Sequence, residues 1–269
     1  MPDLALIYEL LTYLVTGAIA GLGAGLLGIG GGLLIVPVLS SVFLIFLDVK
    51  EVVHLAIGTS LATILVTSYA SVKAHHQHGA VRWDIVKLLT GGILIGAFIG
   101  GWSSQFIASS WLAKLFGILE LLIAINMLLA LKPNPHRQLP GLVGNTGAGG
   151  LIGWLSSLVG IGGGTLTTPY LQWNNISMHQ AIATSAAVSL PVALAGSIGF
   201  LIAGLDAKNL PDYATGYIYW PAFFGIVLAS YFTAPIGARW AHQLPVKTLK
   251  RYFGIFLMIL AIKMLFFMH

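Results

Sequence analysis

The chain has 269 residues, 57% of them hydrophobic and only 8% charged, against roughly 25% charged in an average soluble domain. So little charge cannot cover a water-facing surface. The formal net charge of +5 sits in short connections between apolar runs, where it sets membrane topology and makes no nucleic-acid footprint. Cysteine is absent, which excludes disulfides, thiolate metal sites and thiol-based sulfur relays.

In chain order, the first apolar segment covers residues 5–27. No Lys or Arg precedes Glu9 and no small-residue cleavage pattern closes the run, so it is expected to stay in the protein and not to leave as a signal peptide. Gly28-Ile29-Gly30-Gly31-Gly32 interrupts the pattern, and a second apolar piece follows over 31–47 with Pro37 inside it. Three helices are then expected over 52–73, 84–106 and 111–131, each close to the roughly 20 residues that cross hydrocarbon. Lys132-Pro133-Asn134-Pro135-His136-Arg137 is a polar, proline-rich linker. Beyond it come 141–159, a glycine break at Gly160-Ile161-Gly162-Gly163-Gly164, a short piece to Trp173 containing Pro169, and helices over 177–204, 217–240 and 246–267.

The two stretches are copies of one unit. The glycine breaks superimpose at a displacement of 132 positions (28 onto 160), as do Gly17 on Gly149 and Gly21 on Gly153. His54, Ala56, Thr59 and Ser60 return as His179, Ala181, Thr184 and Ser185 at a displacement of 125. Trp83, Gly100 and Phe116-Gly117-Ile118 return as Trp220, Gly237 and Phe253-Gly254-Ile255 at 137. The piece from Gly162 to Trp173 is too short to span. Each break therefore reads as a re-entrant helix pair, which lipid tolerates only where protein or a water-filled cavity satisfies the freed backbone.

Basic residues cluster at Lys73 and Arg82, at the linker, and at Arg239, Lys247, Lys250 and Arg251, while Lys50, Lys114 and Lys208 stand singly in the alternate connections. The clusters are expected to be cytoplasmic and the single lysines external. Equivalent loops then fall on opposite faces. The expected fold is an all-α integral membrane protein of two inverted-topology repeats, 1–131 and 141–269, joined by a cytoplasmic linker, 132–140. Each repeat is a glycine-broken helix pair followed by three transmembrane helices, a plan recurrent in secondary transporters.

Consecutive N–H groups of Gly30, Gly31 and Gly32, and of Gly162, Gly163 and Gly164, can attract an anion at the start of a short helix; close helix packing is the other reading. Thr59, Ser60, Thr184 and Ser185 lie about 8 Å deeper than the two histidines along their helices, where a hydroxyl either donates to an oxyanion or bonds the i−4 carbonyl. His54 and His179 read as gates or proton-handling groups, or as helix-end hydrogen bonders. Glu120 sits mid-helix in an apolar run, either coupling transport to protons or serving as a structural carboxyl; its counterpart is Leu257. Lys87 and Lys263 can snorkel to the membrane faces. His75, His76 and His78 read as a solvated loop, and no metal, cofactor or catalytic set is expected.

The glycine stretches running to Pro37 and Pro169, each followed by a Thr-Ser pair, resemble the TauE/SafE family of sulfite exporters over nearly the whole chain. The resemblance implies transport of sulfite or organosulfonates in the bacterial inner membrane by use of the proton gradient, with the glycine motifs and Thr-Ser pairs as binding elements. The second half departs from the first at Ser156-Ser157, in place of Ala24-Gly25, and at Thr165, in place of Leu33; these hydroxyls add polarity to one side of the site. Its expected partners are a small anion, protons and the bilayer, and oligomeric state is open, a homo-oligomer included. A passive anion channel shares the same features. An intramembrane enzyme would need a nucleophile and base, or a metal set, on facing helices, and no such spacing recurs.

Overall fold

The computed structural model describes residues 2–28, 30–47, 49–129, 139–241, 243 and 246–267. The linker Lys132–Arg137 lies outside them. Ten helices are described: α1 (Pro2–Leu27), α2 (Gly32–Phe46), α3 (Val52–Gln77), α4 (Trp83–Ser103), α5 (Ser109–Leu129), α6 (Leu142–Val159), α7 (Gly164–Trp173), α8 (Met178–Ala203), α9 (Trp220–Ala241) and α10 (Val246–Phe267). Among the described residues six helices are long and apolar enough to cross a membrane: α1, α3, α4, α5, α8 and α9. The 10-residue α7 and 15-residue α2 are the short pieces expected beside the glycine breaks.

Two departures have local causes. Between α8 and α9 the chain makes a two-stranded antiparallel hairpin, β1 (Ala214–Thr215) and β2 (Ile218–Tyr219), so α9 starts at Trp220, not at 217. Gly216, at φ 53°, provides the turn. And α3 continues through Gln77, so His75 and His76 end a helix instead of lying in a solvated loop. His75 is buried, with Nε2–H donating to the Gly25 carbonyl at 3.1 Å.

Glycine decides how closely the long helices pack. A Cβ on Gly17 of α1 would lie 2.8 Å from Ile226 Cα, and one on Gly21 would lie 2.8 Å from Ser230 O, both on α9. On the other side of the protein, Gly149 of α6 would meet Leu89 O at 2.5 Å and Gly153 would meet Ile93 O at 2.5 Å, both on α4. Ile226 and Ser230 correspond to Leu89 and Ile93 at the displacement of 137. The α1–α9 and α6–α4 contacts are thus the same contact made twice, with backbones touching because small residues allow it. Where α5 meets α10, Gly117 faces Ala261 and Leu265 while Gly254 faces Ala124 and Met127.

Neighbouring glycines in α4 separate packing from propensity. A Cβ on Gly92 would strike Thr146 O and lie 2.8 Å from Gly150 N, whereas one on Gly91 meets nothing. Gly91→Ala is expected to leave stability unchanged or raise it by about 0.5–1 kcal/mol, and Gly92→Ala to lower it by about 1–3 kcal/mol through overpacking. Thermal unfolding followed by fluorescence size exclusion separates the two variants, and equal melting temperatures would remove the packing argument.

Candidate functional site

The two glycine breaks meet in the buried interior. A Cβ on Gly30 would stand 3.0 Å from Gly162 Cα, and one on Gly162 would stand 3.1 Å from both Gly30 Cα and Ser189 Oγ. Gly28 and Gly160 have left-handed backbones, at φ 67° and 71°, a conformation that costs any residue with a Cβ. They end α1 and α6 and turn the chain into the crossing. Gly31 precedes α2 and Gly163 precedes α7 as the capping positions. Gly32 fits only as glycine, because a Cβ there would strike Gly160 O.

The Thr-Ser pairs hold this crossing together across the halves. Ser60 Oγ–H donates to Gly160 O at 3.0 Å. Its counterpart Ser185 lies 3.3 Å from Gly28 O and 2.9 Å from Ile182 O. Each serine thus reaches the carbonyl of the other half's left-handed glycine, Ser60 as its donor and Ser185 through the longer of its two carbonyl contacts, the shorter being to its own helix. Thr59 Oγ1 accepts the Tyr219 N–H at 2.9 Å, and Thr184 Oγ1 accepts the Arg82 N–H at 3.0 Å. Tyr219 and Arg82 are themselves equivalent and stand just ahead of the tryptophans that open α9 and α4. All four hydroxyl residues are fully buried.

The second half adds polar groups that the first lacks. Thr165 Oγ1–H donates to Gly162 O at 3.3 Å, and Thr168 Oγ1 lies 2.8 Å from Gly164 O and 2.9 Å from Ser185 Oγ. Ser189 accepts the Gly164 N–H at 3.1 Å and donates to Ser185 O at 3.0 Å. Sequence reasoning missed Ser189 and Thr168. The available signal was spacing: each stands four residues beyond a named site residue, Ser185 or Gly164, and hence on the same helix face.

The backbone N–H groups of Gly30, Gly31, Gly162 and Gly163 have no acceptor among the described residues. All four glycines are buried. Buried amides without a partner are rare and costly in native proteins, and four at one crossing form a neutral cluster of donors suited to an anion.

Other candidates lie apart from the crossing. Glu120 of α5 is fully buried, and neither carboxyl oxygen has a hydrogen-bond partner. Its neighbours Leu119 and Ile123 line a groove of about 230 Å³ between α5 and α7, together with Asn126, Thr165, Thr168 and Gln172. His54 donates Nε2–H to Ser104 O at 3.0 Å and pairs Nδ1 with Ser109 Oγ at 2.9 Å. This clamps the first turn of α3 to the start of α5. His179 is exposed in the first turn of α8. Two larger hollows, about 630 and 300 Å³, are lined by the ends of α2, α3 and α5 and by residues 209–213, and no glycine of either break lines them.

The profile of the family described as "Sulfite exporter TauE/SafE" matches residues 13–264. The chain is 40% identical over 260 residues to a "Probable membrane transporter protein" of Haemophilus influenzae, covering 95% of this chain and 97% of that one. It is also 27% identical over 275 residues to the "Probable membrane transporter protein YunE" of Bacillus subtilis (94% and 96% covered), and 30% identical over 231 residues to the protein MJ0441 of Methanocaldococcus jannaschii, named in the same way (83% and 80% covered). No solved structure matches it. Apolar spans, glycine crossing and relatives agree: the chain is a multi-pass membrane transporter and belongs to the TauE/SafE sulfite exporter family.

Proposed function

We propose that this transporter moves a small sulfur-containing oxyanion, sulfite or an organosulfonate, across the bacterial inner membrane by proton-coupled alternating access. The observation that carries the reading is the set of four buried amides where the breaks meet, which find no acceptor among the described residues. Removing an oxyanion from water demands donors already in place. The N–H groups of Gly30, Gly31, Gly32, Gly162, Gly163 and Gly164 supply them as the loops shift. Ser60 and Ser185 hold the carbonyls of Gly160 and Gly28, while Thr59, Thr184 and Thr165 fix the surrounding helix starts and loop. A site of neutral donors binds less tightly than an arginine clamp, which suits a carrier that must release on the far side.

In this reading the halves are inverted repeats, 1–131 and 141–269, related by an axis in the membrane plane. The duplicated α1–α9 and α6–α4 contacts support the relation. Glu120 carries the coupling proton, since a lone ionised carboxylate in apolar surroundings is costly. His54 and His179, at the equivalent ends of α3 and α8, act as gates at opposite faces.

Proteoliposome uptake of radiolabelled sulfite tests the function. Saturable uptake driven by an imposed pH gradient is expected; conductance without saturation would make the protein a passive channel. Topology has its own test, made simple by the cysteine-free background. Cysteines placed singly at the exposed positions His76 and Asp212 should label from inside and outside respectively, and equal external labelling would end the inverted-repeat reading.

A further inference from the structure

The repeated architecture contains one interface that is not repeated. The groove between α5 and α7 is lined by Leu119, Asn126, Leu166, Thr168 and Gln172. At displacements of 137 for α5 and 132 for α7, these correspond to Phe256, Lys263, Leu34, Val36 and Ser40, on α10 and α2. There the α2 side is buried, Ser40 fully so. Leu34 and Val36 belong to the packed core, and Lys263 Nζ donates to Ser41 Oγ at 2.7 Å, while Ser41 Oγ–H donates in turn to Pro37 O at 2.6 Å. Leu166 is half-buried beside the groove, whereas its equivalent Leu34 is 2% exposed.

The groove floor also connects to the crossing. Thr165 and Thr168 bond the carbonyls of Gly162 and Gly164, and Thr168 touches Ser185. An anion passing between Asn126 and Gln172 would meet hydroxyls and then the unpaired amides. On the equivalent α2–α10 side, Leu34 and Val36 stand where Leu166 and Thr168 face the groove, and an ammonium is held to the helix hydroxyl of Ser41.

We propose that the α5–α7 groove is the substrate's route to the crossing from one membrane face, with Asn126 and Gln172 as its polar mouth. The Lys263–Ser41 bond is the bar that shuts the equivalent α10–α2 route to the other face. The structure is then one of two alternating states. Exchange to the other packs α7 onto α5 and parts α2 from α10. This inference rests on the inverted-repeat transport reading. A ligand or mutation shifts such an equilibrium only through a difference in interaction between the states, and the lysine bond exists on one side alone.

Matched single cysteines test it. In proteoliposomes, Leu166→Cys is expected to react with a negatively charged methanethiosulfonate reagent at least about tenfold faster than Leu34→Cys. Adding Lys263→Met, or separately Ser41→Ala, should raise the Leu34→Cys rate severalfold and lower the Leu166→Cys rate. Equal rates at the two positions, or rates unmoved by both bar substitutions in monodisperse protein, would overturn the proposal. Sulfite titration of the same preparations by calorimetry separates this failure from that of the transport reading. Sulfite binding with equal labelling rejects only the route and the bar, and absence of sulfite binding rejects the anion site beneath them.

Discussion

Gly162→Ala is expected to reduce sulfite affinity by more than about a hundredfold, roughly 2.7 kcal/mol, with the chain still folded. Gly162 is not among the positive-φ residues, so alanine can adopt its backbone. The added methyl would press 3.1 Å from Gly30 Cα and Ser189 Oγ and 3.2 Å from Ile64 Cγ2, in the space the two amide pairs share. Displacing an anion from even one or two donors forfeits about 1.5–3 kcal/mol for each hydrogen bond to a charged group. Calorimetry on monodisperse protein measures the loss, with Gly91→Ala as a control that adds the same methyl where nothing stands within 4 Å. Unchanged affinity in Gly162→Ala would make the crossing a packing feature only.

The second large effect concerns proton coupling. Glu120→Gln keeps the shape of a fully buried side chain whose oxygens make no hydrogen bond, so no native partner is orphaned. It removes the proton that the carboxyl can take and release. Uptake in this variant should lose its dependence on an imposed pH gradient, a drop of about tenfold or more in gradient-driven flux, while sulfite affinity stays within a few-fold. The direct measurement is initial uptake with and without the gradient. Coupling retained at the wild-type ratio would return Glu120 to a structural role. Glu120→Leu, which copies the counterpart Leu257, should behave like Glu120→Gln if the charge is what matters.

Much of the architecture was legible because membrane helices announce themselves by length and glycine breaks by composition. The C-terminal ends of α1, α6 and α7 fall at their expected residues, and the glycine breaks stand where the mirrored motifs put them in the chain. The bonding of the hydroxyls was not legible. A buried Thr or Ser can serve its own helix, a neighbouring backbone or a ligand, and spacing does not choose among them. In the structure Thr59 and Thr184 accept N–H groups from residues 160 and 102 positions away in sequence, and such pairings exist only once the chain has folded. The same holds for His75, whose burial depends on α3 running one turn further and meeting Gly25. The hairpin at 214–219 was hidden because strands of two residues carry no periodicity. The α5–α7 groove escaped for another reason: repeat logic predicts equivalence, and this is where the halves differ.

The most direct test of the central claim, that the anion is held by the amides of the glycine crossing, is a structure of the purified protein soaked in selenite. Selenite mimics sulfite in shape and charge, and its selenium can be located by anomalous scattering. The account predicts a selenium peak beside the crossing, with oxygens about 2.7–3.2 Å from backbone nitrogens of Gly162 and Gly163 or of Gly30 and Gly31. A well-occupied peak elsewhere, with the amides of the crossing still unpaired, would contradict it.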